Sequence, residues 1–302
     1  MSVAIAGSGD LAKCIVEEFP KAGLSVVVLT RTYKPHLTRE GVQQFITDYS
    51  DTSLDEALVG CKALISTIVD TSQAYVDIHL KLLAACQRSV LCKRFIPSEF
   101  AGNVRDYPDQ PAYFRNINEH VRQALGQQRE VEWTIVCLGF FADYVVPAQN
   151  RYIRNMREGA LIDFSNREFL IPGSLQDSVD ITLARDVVKA LATLMNGPEW
   201  EPYTFLSGQR VTWQEIIDVI RERHTKFTVR VQTLNQIIDT FRHGGSDEEI
   251  VFAQLQLYPA SGAAKCPEQE VREQRQKYFT NVHFHTLKEI WDQVDRNPTV
   301  IL

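Results

Sequence analysis

The segment Ala6-Gly7-Ser8-Gly9-Asp10-Leu11-Ala12 is where residue type and spacing point most directly to chemistry. It reads G-x-G-x-x-A. Gly7 permits a tight turn, Gly9 lets the backbone approach a diphosphate with no Cβ in the way, and Ala12 lets the next helix pack close to a sheet. Free N–H groups at a helix start attract the anion, so Gly7, Ser8, Gly9, Asp10 and Leu11 are candidate dinucleotide-binding residues. The motif carries weight only between a strand and a helix. Both are expected here, from the apolar run Val3-Ala4-Ile5-Ala6 and the amphipathic stretch Leu11 to Lys21. A second signal lies at Thr30-Arg31-Thr32, after the next β-branched run. An NAD site usually places a carboxylate there for the ribose 2′-hydroxyl. The Arg31 guanidinium, with Lys34 close behind, suits a 2′-phosphate instead. The expected cofactor is NADP(H).

These residues need a scaffold of alternating elements, and the first half supplies one. Strand-like runs at Leu24 to Leu29, Gln44 to Asp48, Ala63 to Ile68, Ser89 to Ile96 and Trp133 to Leu138 are interleaved with helical stretches. The helical stretches are Leu54 to Leu58, Ser72 to Ala85 and Pro111 to Gln127. Such alternation predicts right-handed βαβ units, hence a Rossmann-type doubly wound α/β fold with a parallel sheet. The second half is less regular. Ala160 to Asn166 and Glu168 to Pro172 look extended, and Leu183 to Leu194 reads as a helix. Thr212 with Glu215 makes a capping-box start for another helix, to about Arg223. Turn residues between Phe241 and Pro267 surround an apolar stretch, Ile250 to Tyr258. Residues 1–150 are expected to form the NADP-binding Rossmann domain. Residues 151–302 form a smaller mixed α/β substrate-binding region, packed on the first without a linker.

Composition narrows the partners. The 302 residues are 44% apolar and 23% charged, with a net charge of −6, as suits a globular chain. The acidic balance argues against duplex nucleic acid or an anionic membrane as main partner. No apolar run is long enough to span a bilayer, and the chain opens directly into a strand, so a cytoplasmic protein is expected. The six cysteines are scattered with no Cys-x-x-Cys pair, which suits free buried thiols. His283 and His285 lack an evident carboxylate or thiol partner, so no metal site is expected. The oligomeric state has no signature.

The run Leu91-Cys92-Lys93-Arg94-Phe95-Ile96-Pro97-Ser98-Glu99-Phe100 resembles the NmrA-like and isoflavone-reductase-like branch of the atypical short-chain dehydrogenases. The glycine turn, Arg31 and the stretch Val179-Asp180-Ile181 to Asp186-Val187-Val188 follow in the expected order. The similarity leans toward fungal members encoded among secondary-metabolite pathways, some of which act on indole alkaloids. This resemblance implies NADP(H) on the glycine turn and Arg31. It further implies that Thr67, Ile68 and Val69 line the cofactor, and that Pro97, Ser98, Glu99 and Phe100 lie beside the nicotinamide. Asp143 and Tyr144 then look toward the substrate. The chain also departs from the pattern. A Tyr-x-x-x-Lys pair is absent, because Tyr113 is followed by Ile117, and Asn118 falls where plant reductases of this branch place a lysine. The nearby proton carrier is His120.

Loss of that lysine bears on the reaction. Hydride transfer to a carbonyl develops an alkoxide, which needs an acid or a cation. An iminium already carries the charge, so orientation beside NADPH can suffice. The candidate catalytic residues are Ser98, Glu99, Asn118, His120 and Asp143. Asn118 and His120 are about 200° apart on a helix, so at most one of them faces the cleft. Tyr113, Phe114, Phe140, Phe141 and Tyr144 are candidate substrate contacts. The expected activity is NADPH-dependent reduction of a C=N or conjugated C=C bond in an aromatic or heterocyclic secondary metabolite, alone or with a cyclisation such as a Diels–Alder-type step. The other reading is a non-catalytic, redox-sensing NADP(H) binder with a protein partner.

Overall fold

Runs rich in valine, isoleucine and alanine, apolar on both faces, build the centre of the molecule. The computed structural model describes residues 1–154 and 161–302, without the side chains of Tyr113, Phe114 and Asn116. Strands β1 (Ser2–Ala6), β2 (Ser25–Thr30), β3 (Val42–Ile46), β4 (Cys61–Ser66), β5 (Arg94–Ile96) and β6 (Glu132–Trp133) form one parallel sheet. Their order is β3-β2-β1-β4-β5-β6. The order reverses between β1 and β4, and ligands of such sheets bind at that crevice.

Alternate residues of β1 serve opposite layers, as the two-residue period of a strand requires. Val3 and Ile5 join the core made with α1 (Asp10–Lys21). Ala4 and Ala6 join the other, made with α2 (Asp51–Ala57), α3 (Gln73–Arg88) and α4 (Ala112–Gln127). The parallel sheet with helices on both faces is the Rossmann-type architecture expected from the alternation.

The boundary near residue 150 divides no core. Beyond β6 the chain turns at Thr134, whose hydroxyl bonds that of Thr204 at 2.8 Å, and continues as β7 (Ile135–Cys137) and β8 (Phe140–Phe141). The second half adds β9 (Ile162–Asp163), β10 (Glu168–Pro172), β11 (Ser178–Thr182), α5 (Ala184–Asn196), β12 (Tyr203–Phe205) and β13 (Gln209–Thr212). It ends with α6 (Trp213–Arg223), β14 (Thr228–Gln232), α7 (Leu234–His243), α8 (Asp247–Ala260), α9 (Glu268–Tyr278) and α10 (Leu287–Arg296). β7 pairs with β12 and β8 with β11, while Val187, Val188 and Leu191 of α5 enter the same core as α1. Two smaller sheets, β14-β10-β9 and β13-β11-β8, complete the mixed α/β part.

Two expectations from the sequence need correction, and a stretch it left unassigned gains an element. The strand expected over Ser89 to Ile96 begins at Arg94. Its first residues close α3 instead: the Cys92 N–H donates to Ser89 Oγ, and Lys93 Nζ donates to the Cys86 and Gln87 carbonyls. The strand from Trp133 to Leu138 is split between two sheets. The apolar stretch Ile250 to Tyr258 is helix α8, opened by a capping box between Ser246 and Glu249. It carries apolar residues round most of its surface, so no helical period shows in the sequence.

Candidate cofactor and substrate cleft

The two glycines of the first turn do different work. Gly7 has φ +105, and a Cβ there would stand 2.8 Å from Thr67 Oγ1, so the fold itself requires glycine. Gly9 has φ −79, an ordinary conformation. A Cβ at Gly9 would meet only the Thr67 carbonyl, at 3.9 Å, so nothing in the protein requires glycine there. The open space in front of it at the start of α1 fits a diphosphate approaching the backbone. Asp10 stands beside it. Burial opposes its ionisation, but bonds from Arg154 (Nε, 2.9 Å) and Lys13 (Nζ, 3.0 Å) outweigh this and hold its carboxyl below the usual range.

From this corner a cavity of about 760 Å³ runs between the two halves. Fifteen of the residues placed at the site from the sequence line it: Gly7, Ser8, Gly9, Asp10, Leu11, Thr67, Ile68, Val69, Ser98, Glu99, Phe100, Asn118, Phe140, Phe141 and Tyr144. Its far end is walled by α6 and α8 through Trp213, Ile216, Phe252, Leu255 and Tyr258. There Phe140 meets Trp213 and Tyr258 edge-on, at 6.2 and 5.2 Å between ring centres. Burial pushes the Tyr144 phenol up to about 12.

The turn after β5 lines the cavity, and α3 grips it. Tyr75 Oη donates to the Ser98 carbonyl at 3.0 Å, and the Ser98 N–H donates to His79 Nε2 at 3.2 Å. His79 Nδ1 lies 2.7 Å from the Tyr75 carbonyl, and the two rings stack at 3.9 Å. One nitrogen must therefore donate and the other accept, so the ring is neutral. Burial pushes its pKa down to about 4, against the pull of the Tyr75 carbonyl. The next residue, Glu99, is buried and accepts from Asn118 Nδ2 at 2.8 Å and from Arg122 Nε at 3.1 Å, with a further bond to Arg122 Nη2. Burial alone would loosen the Arg122 proton, but Glu99 more than restores it.

A model of the NmrA-like family matches residues 2–256. The chain belongs to the NmrA-like family. Two fungal relatives named oxidoreductase swnR, from Arthroderma benhamiae and Metarhizium robertsii, are each 42% identical over all of both chains. The phenylcoumaran benzylic ether reductase Pyrc5 of Pyrus communis is 29% identical over 49% of this chain and 51% of its own. Among solved structures, AtPrR2 with NADP+ and (+)pinoresinol superposes with a TM-score of 0.78 at 16% identity, covering 95% of this chain and 96% of that one. Leucoanthocyanidin reductase from Vitis vinifera gives 0.74 at 16% identity, over 97% and 99%. Both share the fold of this NmrA-like chain.

Within that fold, five expected site residues stand elsewhere. Asp143 is fully buried and does not line the cavity, accepting from the Ala184 N–H at 2.8 Å at the start of α5. Burial pushes its pKa up to about 6. His120 is exposed on α4 and does not line the cavity, whereas Asn118 does, as their helical offset requires. Pro97 is buried beneath the turn. Arg31 is exposed beyond the end of β2, outside the cavity wall, and Lys34 follows on a loop tied by Gln44 to both its N–H and its carbonyl. Tyr113 and Phe114 lie outside the described side chains. Sequence reasoning also missed Arg122, Tyr75 and His79. The i, i+4 spacings Asn118 to Arg122 and Tyr75 to His79 were the available signals, each placing two polar side chains on one helix face. His285 and His283 do have carboxylate partners, Asp186 at 2.8 Å and Glu289 at 3.1 Å. No metal-binding cluster occurs among the described residues.

Proposed function

We propose that this NmrA-like protein is an NADPH-dependent oxidoreductase acting in the cytoplasm on a small aromatic or heterocyclic molecule, and that the bond it reduces is the C=N of an iminium. The relatives' names favour an oxidoreductase over a non-catalytic regulator. When bound, NADPH supplies the hydride. The chain contributes an anion-receiving helix start at Gly9, the Arg31 guanidinium for a 2′-phosphate, and a wall of aromatic rings that orients a flat substrate and excludes water.

The observation that carries the iminium reading is the state of Glu99. Its carboxylate accepts from both Asn118 and Arg122, so it serves as an acceptor and a fixed charge rather than as a proton source. The Tyr75 hydroxyl is committed to a hydrogen bond to the Ser98 carbonyl, and the Tyr144 phenol is a weak acid. A pre-charged acceptor asks for no acid. Reduction of a conjugated C=C, which needs a proton at the adjacent carbon, is the second choice. A cyclisation coupled to the reduction, of Diels–Alder type for instance, would use the same dry cavity.

The test is consumption of NADPH with a panel of cyclic imines, enones and isoflavonoids, indole-alkaloid precursors among them. Turnover of cyclic imines, fastest at a pH where they are protonated, is expected. Turnover of enones alone would overturn the iminium reading. For the cofactor, Arg31→Ala should weaken NADPH binding by about 1.5–3 kcal/mol, as for a charge-assisted hydrogen bond, and leave NADH nearly unchanged. Equal losses for both would show that the 2′-phosphate is bound elsewhere.

A further inference from the structure

Arg31 is exposed and makes no hydrogen bond or salt bridge among the described residues, although its charge acts at longer range on the Asp70 carboxylate. Its guanidinium carbon instead lies 6.0 Å from the centre of the Tyr49 ring, within range of a cation–π contact. Tyr49 is unusual in its backbone. It has φ +61, a left-handed conformation that disfavours bulky side chains. Local bonds hold it there. The Tyr49 N–H donates to Thr47 Oγ1 at 2.9 Å, and Ser53 Oγ shares a 2.8 Å bond with the same oxygen. Such a conformation persists where its surroundings impose it, and it is commonly tied to a site.

What the conformation achieves is contact with both phosphate-reading elements at once. The ring is buried beside Arg31, and Tyr49 Oη donates to the Leu29 carbonyl at 2.9 Å. That carbonyl also accepts the N–H of Gly7, at 3.1 Å. One side chain thus bridges the end of β2 and the glycine turn. An exposed arginine loses side-chain freedom when it pairs with a ligand. An aromatic face beneath it removes part of that loss beforehand and leaves all five N–H donors free for a phosphate.

We infer that Tyr49 is a positioning residue for cofactor choice, its ring pre-orienting Arg31 toward the 2′-phosphate and so widening the preference for NADPH over NADH. This rests on the assignment of Arg31 to the 2′-phosphate. The ratio of the two dissociation constants separates it from a merely structural role, because a general loosening of the corner weakens both cofactors alike.

The experiment is titration of NADPH and NADH by calorimetry on the folded full chain and three variants. Tyr49→Asn keeps a residue that tolerates left-handed backbone and removes the ring; it should narrow the NADPH-to-NADH preference by roughly three- to ten-fold, the cost of ordering one long side chain. Tyr49→Phe keeps the ring and should keep the preference. Arg31→Ala should abolish it. If Arg31→Ala removes the preference and Tyr49→Asn leaves it at the parent value, the role given to Tyr49 is wrong and that of Arg31 stands. If Arg31→Ala itself leaves the preference intact, the underlying assignment fails. A collapse with Tyr49→Phe equal to that with Tyr49→Asn would also overturn the inference, since the ring would not be the acting part.

Discussion

Two parts of the cavity wall, the glycine turn and the turn after β5, are built on different principles. At the glycine turn the work falls to backbone: Gly7 meets Thr67, Gly9 leaves space, and the free N–H groups of α1 need no particular side chain. At the turn after β5 it falls to side chains that arrive from other elements. His79 and Asn118 each reach 19 residues along the chain to Ser98 and Glu99, and Arg122 reaches 23. A site made of backbone leaves a contiguous signature in the sequence, whereas a site made of distant buried partners leaves none.

The sharpest way to break that comparison is to cut the side-chain part at its centre. Arg122→Met leaves the Glu99 carboxylate buried beside Asn118 alone. Removing one partner of a buried ion pair costs about 3–5 kcal/mol, because the other charge is stranded. Chemical denaturation should show a loss of that size. The double variant Glu99→Gln with Arg122→Met should recover most of it, since the stranded charge is gone. A loss in the double variant as large as in Arg122→Met would mean that packing, and not charge pairing, dominates.

The backbone part should respond in the opposite way. Gly9→Val should leave the folded state nearly as stable as the parent, because the position has ordinary φ and open space. Yet binding of both NADPH and NADH should fall by at least about 100-fold, close to 3 kcal/mol. Gly7→Ala should reverse the order and cost stability first, through its positive φ and the contact with Thr67. Circular dichroism and calorimetry on the pair separate a glycine kept for the ligand from one kept for the fold. Unfolding of Gly9→Val would end that distinction.

This contrast explains what could be read in advance. The parallel sheet was legible because β1, β2 and β4 are short β-branched or alanine runs set between amphipathic helices. The turn between β1 and α1 was legible because Gly7 to Ala12 is one contiguous motif. Asp143 was misplaced because a buried carboxylate bonded at the start of α5 and one facing a substrate look alike in sequence; only the Ala184 N–H at 2.8 Å separates them. Arg122 was passed over because its partner lies on another element. The α8 wall was hidden because apolar residues spread round most of that helix leave no polar face to set a period.

The remaining prediction sets the two parts against each other by pH. His79 is neutral in the folded protein, with one ring nitrogen donating to Tyr75 and the other accepting from Ser98. Its folded pKa is about 4, against 6.5 for a free histidine. The unfolded chain therefore takes up a proton below pH 6.5 that the native chain refuses. Stability is fully present above 6.5 and is lost progressively as pH falls toward 4. At pH 5 the loss from this group is about 2 kcal/mol. Asp143 works the other way: raised to about 6 from 3.8, it takes a proton in the native state first and adds stability over the same interval. The parent's pH curve can thus look flat. His79→Gln removes one of the opposing groups while keeping a donor and an acceptor for Tyr75 and Ser98. The stability difference between parent and His79→Gln should therefore shift by about 2 kcal/mol against the parent between pH 7 and pH 5. Binding of 2′-phospho-ADP-ribose, which lacks the nicotinamide and on the proposed reading meets the glycine turn and Arg31, should be the same in both at either pH. A constant stability difference would show that Ser98 is not held by a neutral ring. A change in the fragment's affinity would show that the two parts are not separate.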